Sequence, residues 1–292
     1  VQVWRGCRVV CDRSQVGFFG DERCSRRCRA HKKEFAMKQV HVMSVVMVAA
    51  VMAGAAIAQN VDVRVTVTNL APTNSVSFAP LRVGFNGGTY DSFNAGQTAT
   101  APIISIAEGG SGSDWFPAFA AGDPTATLGT AHMGPLTPGS VRSSVFTVNP
   151  TINRYFTFAS MVVPSNDYFI GNDSPTQYRL FNMDGSLNLT SITQRASDIW
   201  DAGSEVDSVP NAAFIVGSSN DGRIADTGVV ELEFGGLSIF NGLTTAAGYA
   251  FDLQLQSSTP VYRIDFEIVP APGVASVFAL GGLVAARRRR VA

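Results

Sequence analysis

Apolar and polar residues alternate with period two in several stretches of this chain. Val61, Val63, Val65 and Val67 interleave with Asp62, Arg64 and Thr66, the pattern of a strand with one wet face. Arg154–Phe158, Val229–Phe234, Tyr249–Leu255 and Tyr262–Ile268 also read as strands, and Phe156–Val163 continues one of them. All are enriched in aromatic and β-branched residues, which suit a pleated, half-buried surface. Turn signals lie between them at Asn86-Gly87-Gly88, Asp184-Gly185, Asp221-Gly222 and Gly235-Gly236. Only Ala99–Ala107 and the Ala-rich Phe116–Ala121 have the composition of short helices. Gly109–Ser113 sits between apolar segments and reads as a surface loop, not a domain boundary. Many strands, frequent glycine turns and few helical windows predict an all-β fold, an antiparallel β-sandwich. No period of solenoid or propeller type is visible.

The two ends follow a different logic. Met37-Lys38-Gln39-Val40-His41 is a short basic segment, Val42 to Ile57 is apolar, and Ala56-Ile57-Ala58 precedes Gln59. That order predicts a signal peptide over residues 37–58, cut by signal peptidase so that the exported protein begins near Gln59. Residues 1–36 begin without Met, are rich in Arg and Cys and show no periodicity. They read as translated upstream sequence without structure. The competing reading is a zinc site, since Cys7, Cys11, Cys24 and Cys28 form two C-x3-C pairs. At the other end, residues 269–292 form a tail: Val269-Pro270-Ala271-Pro272-Gly273, an apolar run from Val274 to Ala286, and Arg287 to Arg290. The apolar run is short for a span of about 20 residues, although arginines snorkel and hold such an end on the cytoplasmic side.

Composition changes the picture once the exported part is taken alone. All four cysteines precede Met37, Lys32, Lys33 and Lys38 are the only lysines, and His132 is the sole histidine beyond Gln59. Disulfides, thiolate metal sites and Schiff-base chemistry are therefore excluded from residues 59–268, expected to form one domain. From Gln59 to Val269 there are 8 arginines against 14 aspartates and 5 glutamates, a formal charge of −11. Such a surface repels nucleic acid and anionic lipid and favours cations, so nucleic acid is not an expected partner. A serine triad would have to use His132, and no Gly-x-Ser-x-Gly elbow occurs. Paired-histidine zinc motifs fail for want of a second histidine. Only carboxylate chemistry survives among catalytic readings, chiefly glycoside hydrolysis by an Asp/Glu pair. Trp115 and Trp200 have two readings, stacking on sugar rings or filling a sandwich core.

Two loops carry the sharpest signal. Pro164-Ser165-Asn166-Asp167-Tyr168-Phe169-Ile170-Gly171 is followed about thirty residues later by Asp198-Ile199-Trp200-Asp201-Ala202-Gly203-Ser204-Glu205-Val206-Asp207. With the opening Val65–Pro72 and Phe78-Ala79-Pro80, these passages resemble the spondin N-terminal domain family over roughly Val61 to Ile268. The resemblance implies a C2-like sandwich with a calcium ion at one end. It places metal ligands on Asp167, Asp201 and Glu205, with Glu205 standing where vertebrate members carry Asp. Calcium takes six to eight hard oxygen ligands, and Gly203 allows a tight turn between two of them. The plainer alternative is that Asp167 and Asp201 cap turns. The tail resembles the PEP-CTERM sorting signal, with Ala271 where the namesake motif has Glu. It implies processing by an exosortase-type enzyme, the alternative being an ordinary C-terminal membrane anchor. Together these readings predict a non-catalytic, calcium-binding protein of the bacterial cell surface or extracellular matrix, transiently membrane-anchored through its tail. An adhesive or structural role among extracellular polysaccharide or surface components follows; the alternative is a lectin or glycoside-active enzyme using the same acidic loops.

Overall fold

The computed structural model describes residues 60–270. The upstream, signal-peptide and zinc assignments, and the tail beyond Pro270, lie outside the described residues. Eleven strands follow in order: β1 (Val61–Asn69), β2 (Ser77–Phe78), β3 (Arg82–Asn86), β4 (Thr127–Thr130), β5 (Val141–Val148), β6 (Tyr155–Val163), β7 (Tyr168–Gly171), β8 (Ser191–Arg195), β9 (Trp200–Asp201), β10 (Glu231–Leu232) and β11 (Pro260–Val269). They form two antiparallel sheets. One has four strands in the order β5-β1-β11-β8; the other has seven, in the order β10-β9-β7-β6-β3-β4 with β2 paired to β6. The fold is an all-β sandwich.

Strand faces follow the sequence pattern where a ladder exists. In β1, Val63, Val65 and Val67 are fully buried and the residues between them partly exposed. Val65 pairs with Phe266 and Val67 with Ile264 on β11, so both strands turn their apolar residues to one side. The facing sheet answers with aromatics: Phe156 lies 4.8 Å from Phe266, Phe78 lies 4.7 Å from Tyr262, and Phe85 lies 5.3 Å from Phe146, ring centre to ring centre. The first two pairs meet edge to face and the third is tilted, packing that adds to the burial of each ring.

The second face of the seven-stranded sheet is also dry. Two helices, α1 (Ala101–Gly109) and α2 (Trp115–Gly122), lie in the two windows expected to be helical. Ile103, Ile106, Trp115 and Phe119 from these helices form a second cluster with Ala159 and Phe169 of the sheet and Ala202 just after β9. Covered on both faces, β6 is buried along almost its whole length. α2 approaches β3 at Gly84, where a Cβ would stand 2.6 Å from the Phe119 ring. Glycine is the residue this approach permits. Among the described residues, no helix is long and apolar enough to cross a membrane.

Two expected strands come out differently. Tyr249–Leu255 keeps the alternation, with Phe251, Leu253 and Leu255 buried and Asp252 and Gln254 exposed, but it is an irregular extended segment. Its backbone donors go to Leu243 O, Asn74 O and the Asn241 side chain instead of one neighbouring strand, and Gln254 is left-handed, at φ 48°. Of Val229–Phe234, only Glu231–Leu232 pairs, with Trp200–Asp201.

Candidate functional site

Strand pairing brings the two acidic loops together. The chain leaves β6 through a cis Val163–Pro164 bond, passes Asn166 and Asp167, and enters β7. β7 pairs with β9 so that Tyr168 stands opposite Asp201 and Phe169 opposite Trp200. Residues directly opposite in an antiparallel pair share a face. Asp201 therefore lies on the Tyr168 side of the sheet, and Glu231, opposite Asp201 on β10, joins it there.

Asp167 is completely buried. Its Oδ2 accepts from Ser204 N at 2.7 Å, Glu205 N at 3.0 Å and Ser204 Oγ at 3.1 Å, which ties the first loop to the second. Its Oδ1 is buried with no hydrogen-bond partner. Burial raises its carboxyl above the usual range, against the lowering effect of those donors. Asp201 accepts from Gly203 N at 2.7 Å through Oδ1, the turn-capping role that the plainer reading assigned it. Burial first, then the charge on Asp167, push it up to about 7, with Asp207 and Glu231 adding to the rise. Asp207 completes the group. Its Oδ2 accepts from Tyr168 Oη at 2.9 Å, its Oδ1 is buried without a partner, and burial followed by the charge on Asp167 raises it.

Glu205 has other commitments. Asn211 Nδ2 donates to its Oε1, and its Oε2 lies 3.8 Å from Arg223 Nε. Burial, then Glu108 and more weakly Asp167 raise its carboxyl, while Arg223 opposes the rise. The charge on Asp167 thus acts on Asp201, Asp207 and Glu205 alike, and Glu205 is in addition engaged with Arg223 and Asn211. Asp207 stood at the end of the second loop as a further acid, the only signal that could have singled it out. Glu108 and Arg223 had none, because their place is set by long-range folding.

The donor set suits a hard cation. Oxygen atoms on Asp167 and Asp207 are dehydrated yet unpaired, a costly condition that a Ca²⁺ ion would relieve. Asp167 and Asp207 are the two that offer such an oxygen, and the charge on Asp167 acts on Asp201 as well. Among the described residues, no group of three or more His, Cys, Asp or Glu side chains stands close enough together to hold a metal ion, and mutual repulsion of the carboxylates opposes their approach without a counter-ion.

Titration of Asp201 makes a prediction. Its folded value of about 7 lies above the unfolded value near 3.8, so the folded state binds more protons between these limits. Its contribution to stability is fully present below the unfolded value and is lost as pH rises through about 7. Metal-free protein should therefore melt at a higher temperature at pH 5 than at pH 8, and Asp201→Asn should flatten that difference. A melting temperature for the chelated wild type that rises from pH 5 to pH 8 would contradict this placement of Asp201.

Gly203 holds the second loop in shape. It has φ 62°, and a Cβ on it would stand 2.7 Å from the backbone N and O of Val229. Gly203→Ala should cost about 1–3 kcal/mol in urea unfolding. A loss below the measurement error would show that the loop shifts freely.

The remaining candidates are packed and hydrogen-bonded within the fold. His132 is 5 % exposed; its Nε2 accepts from Leu81 N at 3.2 Å and its Nδ1 donates to Gly134 O at 3.0 Å, an arrangement that needs the neutral ring. Burial lowers it to about 4. Trp115 is fully buried, and its Nε1 donates to Ser92 Oγ at 3.0 Å. Trp200 donates to Gly171 O at 3.2 Å and packs on Phe93. No protein-family model matches this chain, and no curated protein matches it.

Proposed function

We propose that this chain is an exported, non-catalytic calcium-binding β-sandwich that serves an adhesive or structural role at the bacterial cell surface or in its extracellular matrix. The observation that carries the reading is the pair of buried, unpartnered carboxylate oxygens on Asp167 and Asp207, beside Asp201, at the meeting of the two loops. One Ca²⁺ would offset the repulsion among these groups and lock the loops to each other. The cysteine-free, acidic composition between Gln59 and Val269 suits an extracellular, calcium-containing medium. Export rests on the signal-peptide pattern of residues 37–58, and sorting by an exosortase-type enzyme on the tail of residues 269–292. The calcium site is the expectation that the spondin-type resemblance carries, and the sorting step the one that the PEP-CTERM-like tail carries. Calorimetric titration of Ca²⁺ into chelator-stripped protein at pH 8 should show one site, with affinity falling as pH drops through about 7 because protonated carboxyls bind no cation. Absence of any saturable Ca²⁺ heat would overturn the reading.

A further inference from the structure

β5 is the longest strand at an edge of either sheet. It ends the order β5-β1-β11-β8 on one side, has eight residues, and pairs with β1 along its whole length without a bulge. The other edges are shorter: five residues in β8, four in β4 and two in β10. Natural edge strands are commonly blunted by Lys, Pro, inward-pointing charges or bulges. β5 reads Val141-Arg142-Ser143-Ser144-Val145-Phe146-Thr147-Val148, with no Pro, Gly, Lys, Asp or Glu. In a chain so rich in acidic side chains beyond Gln59, this edge carries none.

Strand parity shows which backbone groups of β5 are open. Asn69 N donates to Ser140 O at 3.0 Å just before the strand begins. Bonded positions alternate in an antiparallel pair, so they continue at Arg142, Ser144, Phe146 and Val148, opposite Val67, Val65, Val63 and Val61. The N–H and C=O groups of Val141, Ser143, Val145 and Thr147 therefore point away from β1. Among the described residues no other backbone group bonds them, and the one side chain that does is the Arg142 guanidinium, 2.9 Å from Val141 O. The side chains of these four residues lie on the outer face of the sheet, where Val141 and Val145 are 50 % and 52 % exposed. Such a row of free amides and carbonyls is a template for another strand.

We propose that its occupant is a second copy of this chain: two β5 strands pair antiparallel about a two-fold axis at Ser144, joining the four-stranded sheets of two molecules into one. In this register Ser143 stands opposite Val145 of the other copy, and Val141 opposite Thr147. Every such pair brings together two residues whose backbone groups point outward, so each can exchange both hydrogen bonds. A slip of one residue would set outward groups against inward ones. The two Val145 side chains become diagonal neighbours across the axis and leave water together. On the inner face Arg142 comes opposite the half-buried Phe146 of the other copy, an aromatic ring on which a guanidinium stacks favourably. Because the axis repeats this contact, each strand supplies both the cation and the ring. That reciprocity, the mark of an isologous interface, selects a second copy over an unrelated strand. None of the candidate ion-site residues lies on β5, so the pairing does not rest on the calcium reading.

The test is sedimentation velocity of the full chain in one mild detergent, held in chelator, from about 1 μM to about 1 mM, a span suited to a small, transient interface. A reversible monomer to dimer equilibrium is the expected result. Val145→Pro removes an N–H that β1 does not use, a change edge positions tolerate, and should weaken the dimer at least about tenfold by breaking the new ladder. Val145→Lys leaves the backbone unchanged, should act in the same direction, and is the arbiter if the proline variant unfolds. Hydrogen exchange read by NMR reports the register. Amides of Ser143, Val145 and Thr147 should exchange at least about tenfold more slowly at the concentrated end than at the dilute end, while those of Ser144 and Phe146 stay protected throughout. A monomer over the whole range, a dimer that survives both substitutions, or edge amides whose exchange ignores concentration would each overturn the proposal. So would edge amides that are protected at every concentration and released on deletion of residues 271–292, since the tail would then cover β5.

Discussion

Calcium at a hundredfold excess over its Kd should raise the unfolding free energy by about 2.7 kcal/mol, and at a thousandfold excess by about 4.1 kcal/mol. For a domain of this size that is a rise in Tm of roughly 5–15 °C between chelator and Ca²⁺. The effect is large because the ion acts on groups that the folded chain holds in an unfavourable state: Asp167 and Asp207 each have a buried oxygen without a partner, and Asp201 titrates near 7 beside them. Asp201→Asn should remove most of the calcium response while leaving the metal-free protein equally stable or slightly more so, since one source of repulsion is gone. Asp207→Asn should act in the same way, its amide oxygen still able to accept from Tyr168 Oη. Glu205→Gln should leave most of the response intact, because its carboxylate is occupied by Asn211 and Arg223. A wild-type melting curve that does not move between excess Ca²⁺ and excess chelator would rule the ion out. Loss of the response in Glu205→Gln alone would restore the ligand set that the resemblance implied.

Trp115→Ala should destabilise the protein by about 3–5 kcal/mol, the range for deleting a large buried aromatic. Trp115 is fully buried at the start of α2, with its ring 4.9 Å from that of Phe119 and 5.5 Å from that of Phe116. The loss would combine the transfer energy of the ring, the cavity left under the helical layer, and the hydrogen bond from Nε1 to Ser92 Oγ. Trp115→Phe should cost markedly less, because most of the apolar volume remains and Ser92 alone loses its partner. Urea unfolding of both variants would check this. A loss below about 1 kcal/mol for the alanine variant would mean that the helices collapse onto the sheet with little cost.

The comparison of β1 with the Tyr249–Leu255 segment shows what periodicity can and cannot reveal. Both alternate cleanly, and in both the apolar set is buried. β1 becomes a strand because β5 and β11 supply partners on its two edges. Tyr249–Leu255 finds its partners in scattered loops, and Gln254 at φ 48° interrupts the extended run. Alternation reports which face meets the core, a local property of the backbone. Ladder membership depends on where other parts of the chain arrive.

The site divides along the same line. The resemblance carried by the two loops pointed to Asp167, Asp201 and Glu205, and local reading to the tight turn at Gly203, because loop chemistry is written in adjacent residues. Local reading also excluded thiol, lysine and paired-histidine chemistry between Gln59 and Ile268, since composition alone decides that. Which carboxylates face one another was decided by the tertiary structure. The Tyr168–Asp201 pairing sets the two loops side by side, the Tyr168 hydroxyl draws in Asp207, and the packing of α1 on the seven-stranded sheet brings Glu108 within reach of Ser204 and Arg223. Neighbours in sequence such as Glu205 and Asp207 end in different surroundings, one against a guanidinium and one against a phenol, because electrostatic partnership follows distance in space, and that distance is set by strand pairing and sheet packing.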